Sequence, residues 1–230
     1  LGTLSQVKIE NMDRQHSEYS ATHLIDQNPA TASAHPAIVA VAWGTGLETV
    51  FTTLGASRIL LAEDTMNPSV SEILEIIDSI PSDIILFLPN NPNIIPAARQ
   101  AVNLTDKNLI VIPSTTIPQG IAAMLAFNPE HKVVQNATEM ELALTTIRTG
   151  EICQAVRNVR LNNIYVNAGQ IIGILEGQLV ATGDNSIDVL LSVLTAANTT
   201  EGDFITLYAG QLVDSDDANM ASNRIKETFP

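Results

Sequence analysis

Four short, unbroken apolar runs alternate with helix-like segments between residues 37 and 127, and this alternation most constrains the fold. The runs are AIVAVA at 37–42, RILLA at 58–62, IILFL at 84–88 and NLIVI at 108–112. Strands without a polar side require cover on both faces, which is typical of a parallel sheet. With right-handed crossovers, the sequence predicts a doubly wound, Rossmann-like α/β unit.

Two helix starts are predicted from capping signals. Ser69 lies three residues before Glu72, and apolar residues then follow at helical spacing through 70–80. Asn136 and Glu139 repeat the same spacing, so we expect a second capped helix that Gly150 ends. The first unit is therefore assigned to residues 37–150.

From Glu151 the pattern changes to period two, which predicts a smaller α+β unit over residues 151–230. The expected strands are 152–159, 164–167, 171–175, 178–182 and 204–208, with turns at 162–163 and 176–177. Helices are expected over 186–197 and 216–228. The Ser, Thr, Ala, His and Pro residues of 17–36 are typical of a linker, and the ends at Leu1 and Pro230 suggest a fragment of a longer protein.

Composition and charge limit the partners and the compartment. The formal net charge is −14 and only 16% of residues are charged, so nucleic acid and anionic membranes are disfavoured as partners. No apolar run approaches the roughly 20 residues of a membrane span, so no stable membrane insertion is expected. The single cysteine, Cys153, cannot form an internal disulfide, which favours the cytoplasm. We expect Cys153 to be a small core residue.

Four polar loops follow the four predicted strands. Ligands of open parallel sheets bind beyond the carboxyl ends of the strands, and backbone N–H groups at helix starts suit a carboxylate or phosphate. Caps and turns prefer the same residue types, so each residue has that alternative role. The candidate ligand-binding residues are Gly44, Thr45, Gly46, Thr65, Asn67, Ser69, Asn90, Asn91, Ser114, Thr115, Gln119 and Gly120.

Nucleotide and catalytic motifs are not found in these loops. Gly44-Thr45-Gly46 lacks the third glycine of a dinucleotide fingerprint, and no phosphate-binding GxxxxGK[ST] string occurs. Glu63 and Asp64 are adjacent on a strand end, where side chains point apart, and the four histidines have no metal partner at suitable spacing. We therefore predict no catalytic residue, metal or cofactor in this sequence. A hydrolase remains a third and weaker alternative.

Several segments resemble the bacterial Dak phosphatase-like proteins, which form the catalytic subunit of fatty acid kinase. They are LGTLSQVKIENMDRQH at 1–16, TMNPS at 65–69, LPNNPNI at 88–94, IPSTTIPQGIAAMLAF at 112–127, and Arg157, Gly169, Gly173 and Gly183-Asp184. The resemblance implies an upstream all-helical kinase domain, related to dihydroxyacetone kinase, that binds ATP and magnesium. It implies that residues 1–16 end a middle domain, that the rest has a DegV-like (EDD) fold, and that a further strand follows Pro230.

The resemblance also suggests what this domain does. TMNPS is similar to the DegV-type loop that holds a fatty acid carboxylate, which implies Thr65 and Ser69, with Asn90 and Ser114 on neighbouring loops. The pair Met66-Asn67 and the LPNN string depart from that pattern. The resemblance therefore implies a non-catalytic domain that docks a separate acyl-carrying DegV-like protein, with a homodimer as one form of the full-length protein. The alternative is a domain that itself binds a fatty acid or another small anion.

Overall fold

The computed structural model describes residues 36–62, 67–161, 164–200, 203–210 and 213–229. These residues form two compact units, of which one ends at Ile147 and the other begins at Arg148. We call them the parallel unit and the antiparallel unit. The predicted linker at 17–36, apart from Pro36, and the segment 1–16 lie outside the described residues, as do Glu63, Asp64 and the turn at 162–163.

The parallel unit contains one four-stranded sheet and five helices. The strands are β1 (Ala37–Ala42), β2 (Arg58–Leu61), β3 (Ile84–Leu88) and β4 (Asn108–Val111), in the spatial order β2-β1-β3-β4 with every pair parallel. The helices are α1 (Gly44–Thr53), α2 (Val70–Asp78), α3 (Ile95–Val102), α4 (Ile117–Ala126) and α5 (Val133–Leu144). The predicted parallel α/β arrangement is confirmed.

Both faces of this sheet are buried, which explains why its strands have no polar side. Val39, Val41 and Phe87 pack with Ile73 of α2 and Ala98 of α3 on one face. The alternate positions of the same strands face the other side, where Ile38, Ala40 and Leu86 pack with residues of α1, α4 and α5. Two aliphatic layers therefore hold the sheet and fix the positions of its edge loops.

The first helix cap is confirmed and the second is wrong. Ser69 caps α2 in a reciprocal capping box with Glu72. Asn136, however, lies inside α5, where it is buried. Its amide accepts from the N–H of Asn128 and donates to the carbonyl oxygens of Asn128 and His131, so it fastens the preceding loop and does not cap the helix. Helix α5 ends at Leu144, well before Gly150.

The antiparallel unit contains a three-stranded sheet, a hairpin and two helices. The strands are β5 (Gly150–Gln154), β6 (Val159–Leu161), β7 (Ile164–Val166), β8 (Ile171–Leu175) and β9 (Gln178–Gly183), arranged as β5-β8-β9 and β6-β7. Helix α6 (Ser186–Ala196) and helix α7 (Ser215–Thr228) confirm the predicted helices. Glu176 and Gly177 both have positive φ in the β8-β9 turn, as a two-residue hairpin requires.

Three expectations for this unit are wrong. The single strand predicted at 152–159 is two strands, β5 and β6, which belong to different sheets. Residues 204–208 are described but form no strand. Cys153 is exposed, since most side chains of β5 are exposed. Partial burial and the nearby Glu151 carboxylate raise the pKa of the Cys153 thiol, which disfavours its thiolate form.

Across the residues described, no helix is long and apolar enough to cross a membrane. The same residues contain no group of three or more His, Cys, Asp or Glu side chains placed to hold a metal ion.

Candidate functional site

The parallel strands bring the predicted polar loops to one edge of the sheet. All four strands run in the same direction, so the segments after β1, β2, β3 and β4 all leave the sheet at its carboxyl edge. Helices α1, α2, α3 and α4 begin a few residues later. Of the candidate residues, Thr65 lies outside the described part of the chain, and the others belong to these loops or to the first turns of the helices.

A buried amide joins three of these strand ends. Asn90 follows β3 and is buried with a positive φ of 56°. Its backbone N–H donates to Ser114 Oγ at 3.0 Å, and the Ser114 hydroxyl donates to Asn90 Oδ1 at 2.7 Å. The Nδ2 group of Asn90 donates to the carbonyl oxygen of Val41 at 2.8 Å. We call these bonds between the ends of β1, β3 and β4 the Asn90 clamp.

Helix α4 packs directly against the Asn90 clamp. A Cβ atom added to Gly120 would lie 2.0 Å from Asn90 Oδ1, closer than real Cβ atoms come to other atoms. A glycine inside a helix costs up to about 1 kcal/mol relative to alanine, and here it makes room for the amide. Asn90, Ser114 and Gly120 are therefore in contact with one another, and their polar atoms are satisfied within the chain.

The remaining polar residues of these loops mostly serve as local caps. Gln119 Oε1 accepts from both the N–H and the hydroxyl of Thr115 at 2.8 Å. Asn91 Oδ1 accepts from the N–H of Asn93 at 2.9 Å. The Glu72 carboxylate accepts from the N–H and hydroxyl of Ser69, and these hydrogen bonds hold the pKa of Glu72 below its usual value. Asn67, the remaining candidate after β2, is exposed.

The loop after β1 is the most open of the four. Trp43 occupies the N-cap of α1 without a side-chain cap, and Gly44 follows with a φ of 74°. Thr45 is exposed and Gly46 is partly buried, and the first turn of α1 contains no acidic residue. The indole Nε1 of Trp43 is buried and has no hydrogen-bond partner in the described part of the chain. Helix N-termini of this kind attract anions.

Sequence reasoning missed two features near these loops. Trp43 was overlooked because its indole N–H matters only once the fold buries it. A second network connects α4 and α5, where His131 Nδ1 lies 2.9 Å from a Glu139 carboxylate oxygen. Hydrogen bonds from Gln135 and His131 lower the pKa of Glu139. The spacing of Asn136 and Glu139 marked this region, although it was interpreted as a helix cap.

The fold and the loop edge define a two-unit α/β protein whose parallel sheet carries its polar loops at the carboxyl edge. Residues 37–230 match the FakA-like C-terminal family, which comprises C-terminal domains like that of fatty acid kinase FakA. The chain therefore belongs to this family of C-terminal domains.

Relatives in several bacteria support this membership. Protein YloV of Bacillus subtilis is 33% identical over 235 residues, an alignment that covers 99% of this chain and 42% of that protein. An uncharacterized protein of Staphylococcus haemolyticus is 29% identical over 233 residues, and one of Staphylococcus aureus is 27% identical over 229 residues. Each of these two alignments covers 100% of this chain and 42% of the relative. The chain thus spans less than half the length of these relatives.

The Asn90 clamp can be tested by a double-mutant cycle. We expect Gly120→Ala alone to destabilise the parallel unit by about 1–3 kcal/mol, because its methyl group overlaps the Asn90 amide. Asn90→Gly tolerates the positive φ and removes that amide, so Gly120→Ala should cost at least about 1 kcal/mol less in the Asn90→Gly background. Urea unfolding followed by fluorescence of Trp43, the only tryptophan, reports on this unit.

Gly210→Ala is the matched control for this cycle, because a Cβ atom there meets nothing within 4 Å. Its effect should add to that of Asn90→Gly. Additive effects of Asn90→Gly and Gly120→Ala would contradict the clamp.

Proposed function

We propose that this chain is the non-catalytic C-terminal domain of a fatty acid kinase-type protein, and that it docks an acyl-carrying DegV-like protein. An upstream kinase domain, related to dihydroxyacetone kinase, then phosphorylates the bound fatty acid using ATP and magnesium. Membership of the FakA-like C-terminal family is the observation that carries this proposal. The chain itself takes a DegV-like (EDD) fold in this account, with the four-stranded parallel sheet as its first part.

The hydrogen bonding of the loop edge supports docking over direct binding of a fatty acid. A carboxylate needs donors that are not already paired. Ser69, Asn90, Ser114 and Thr115 each have partners within the chain. An acyl carboxylate would have to break these bonds, and for Asn90 and Ser114 it would also have to open a buried network. A docking role makes no such demand.

The length of the relatives and the charge of the chain fit the same account. Alignments to this chain cover 42% of each relative, which leaves room for a kinase domain elsewhere in those proteins. We assign the protein to the cytoplasm, where such a kinase has ATP. The net charge of −14 gives it no attraction for nucleic acid or anionic lipid.

Calorimetry of the full-length protein with its cognate DegV-like protein tests the docking proposal. We expect saturable association, and we expect loss of that association when residues 37–230 are deleted. Thr115→Val is the control, because it removes a hydroxyl that is bonded within the chain and should leave binding unchanged. If the full-length protein and the version without residues 37–230 bind the partner equally well, the docking role is wrong.

A second candidate function is binding of a small anion, such as a fatty acid carboxylate or a phosphate, at the start of α1. The uncapped helix, Gly44 and the unpartnered Trp43 indole N–H favour it. Native mass spectrometry of the purified protein should then detect a retained ligand that Trp43→Phe removes, because phenylalanine keeps the ring but lacks the N–H. Thr49→Val, on an exposed position of the same helix, should keep the ligand. Finding no retained mass in the parent protein would exclude this candidate.

A further inference from the structure

Helix α4 is unusual for a helix near a protein surface because it contains no charged residue. Its sequence is IPQGIAAMLA, and Phe127 follows it. Gly120, Ala123 and Met124 are buried against the sheet, whereas most of the remaining positions are only partly buried. A helix that is apolar on every side is normally covered on every side. Its outer face is therefore suited to contact with another protein.

Helix α5 continues this apolar surface. Asn136, Met140 and Leu144 repeat every four residues and face inward. Val134 and Leu142 are eight residues apart on the opposite side, about 12 Å along the helix, and are 72% and 65% exposed. Exposed large aliphatic side chains at this spacing form a stripe along the helix.

A short loop joins the two helices and holds them together. Residues 127–132 separate the end of α4 from the start of α5, so Leu125, which is 69% exposed, lies at the same end of the pair as Val134. The buried Asn136 amide fastens this loop through both backbone groups of Asn128. We call the surface formed by Leu125, Val134, Thr138 and Leu142 the α4–α5 face. It is a preorganised surface, which lowers the entropy cost of docking.

Carboxylates surround the α4–α5 face. Glu130 and Glu141 are exposed and Glu139 is partly buried, whereas Lys132 is the only lysine or arginine between residues 127 and 144. A second copy of this chain meeting the same face would place like charges together, as would an anionic lipid surface. A protein whose apolar patch is bordered by Lys and Arg would meet complementary charge.

We propose that the α4–α5 face is the surface that receives the acyl-carrying partner, and that the partner presents an apolar patch bordered by Lys and Arg. This inference rests on the proposed docking function and adds to it the position of the interface and the charge of the partner. Leu125 and Leu142 are the apolar anchors. Glu130 and Glu141 guide the encounter.

Substitution of the anchors in the full-length protein tests the position of the interface. Leu125→Ser and Leu142→Ser should each weaken binding of the cognate DegV-like protein by about tenfold, as expected for apolar anchors at an interface. Both side chains are mostly exposed, so the unfolding midpoint should change little. Leu104→Ser is the matched control, because Leu104 is 60% exposed but lies after α3. It should leave binding within about twofold of the parent.

Charge reversal tests the chemistry of the partner. The association rate of the parent protein should fall when NaCl is raised from about 50 to about 500 mM, because salt screens exposed charges. The Glu130→Lys, Glu141→Lys double variant should associate more slowly at low salt and show a weaker salt dependence. Equal or faster association of this variant would overturn the predicted basic border.

The outcomes separate the docking function from the position of the surface. If the parent protein binds no partner, the docking function fails and this inference fails with it. If the parent binds and all three leucine variants bind equally well, only the position is wrong. If sedimentation instead shows a dimer of the parent that Leu125→Ser dissociates, a second copy occupies the α4–α5 face and the inference is overturned.

Discussion

The Asn90 clamp is the interaction on which the carboxyl edge of the parallel sheet depends. One amide donates to the end of β1 through the Val41 carbonyl and accepts from Ser114 after β4, while its own backbone N–H also bonds to Ser114. Aspartate could accept but could not donate, and most residues resist the positive φ at this position. Because the clamp is buried, each unmade bond would cost about 1–3 kcal/mol.

This constraint separates two tasks that share the same part of the fold. The loops after β3 and β4 use their amides and hydroxyls to support α3 and α4, so they act as scaffold. Helix α4 then presents an uncharged outer surface next to α5, and the start of α1 keeps its backbone N–H groups uncapped. A domain of the FakA-like C-terminal family built in this way is suited to holding a partner.

The sequence predicted the features that depend on local signals or simple periodicity. Burial of both sheet faces leaves strands without polar positions, so the order of strands and helices in the parallel unit was predictable. The Ser69 cap was predictable because Glu72 is only three residues away. Features that depend on distant partners were not. The bond from Asn90 to Val41 spans 49 residues, and Asn136 bonds to the preceding loop, which only tertiary structure reveals.

Period-two patterns were less reliable in the antiparallel unit for a related reason. Residues 204–208 have the composition of a strand, but a strand exists only where a neighbour pairs with it. Cys153 lies on an apolar run, but the surrounding positions of β5 are exposed, and so is its side chain. Composition indicates how a segment can pack, and the neighbouring elements decide whether it does.

Hydrogen exchange of the full-length protein, with and without its acyl-carrying DegV-like partner, tests the central claim most directly. The account predicts added protection of backbone amides within residues 117–144, because α4 and α5 would be covered. Residues 95–104, which contain α3, should exchange at unchanged rates. Protection confined to the start of α1 or to the antiparallel unit, with 117–144 unchanged, would contradict it.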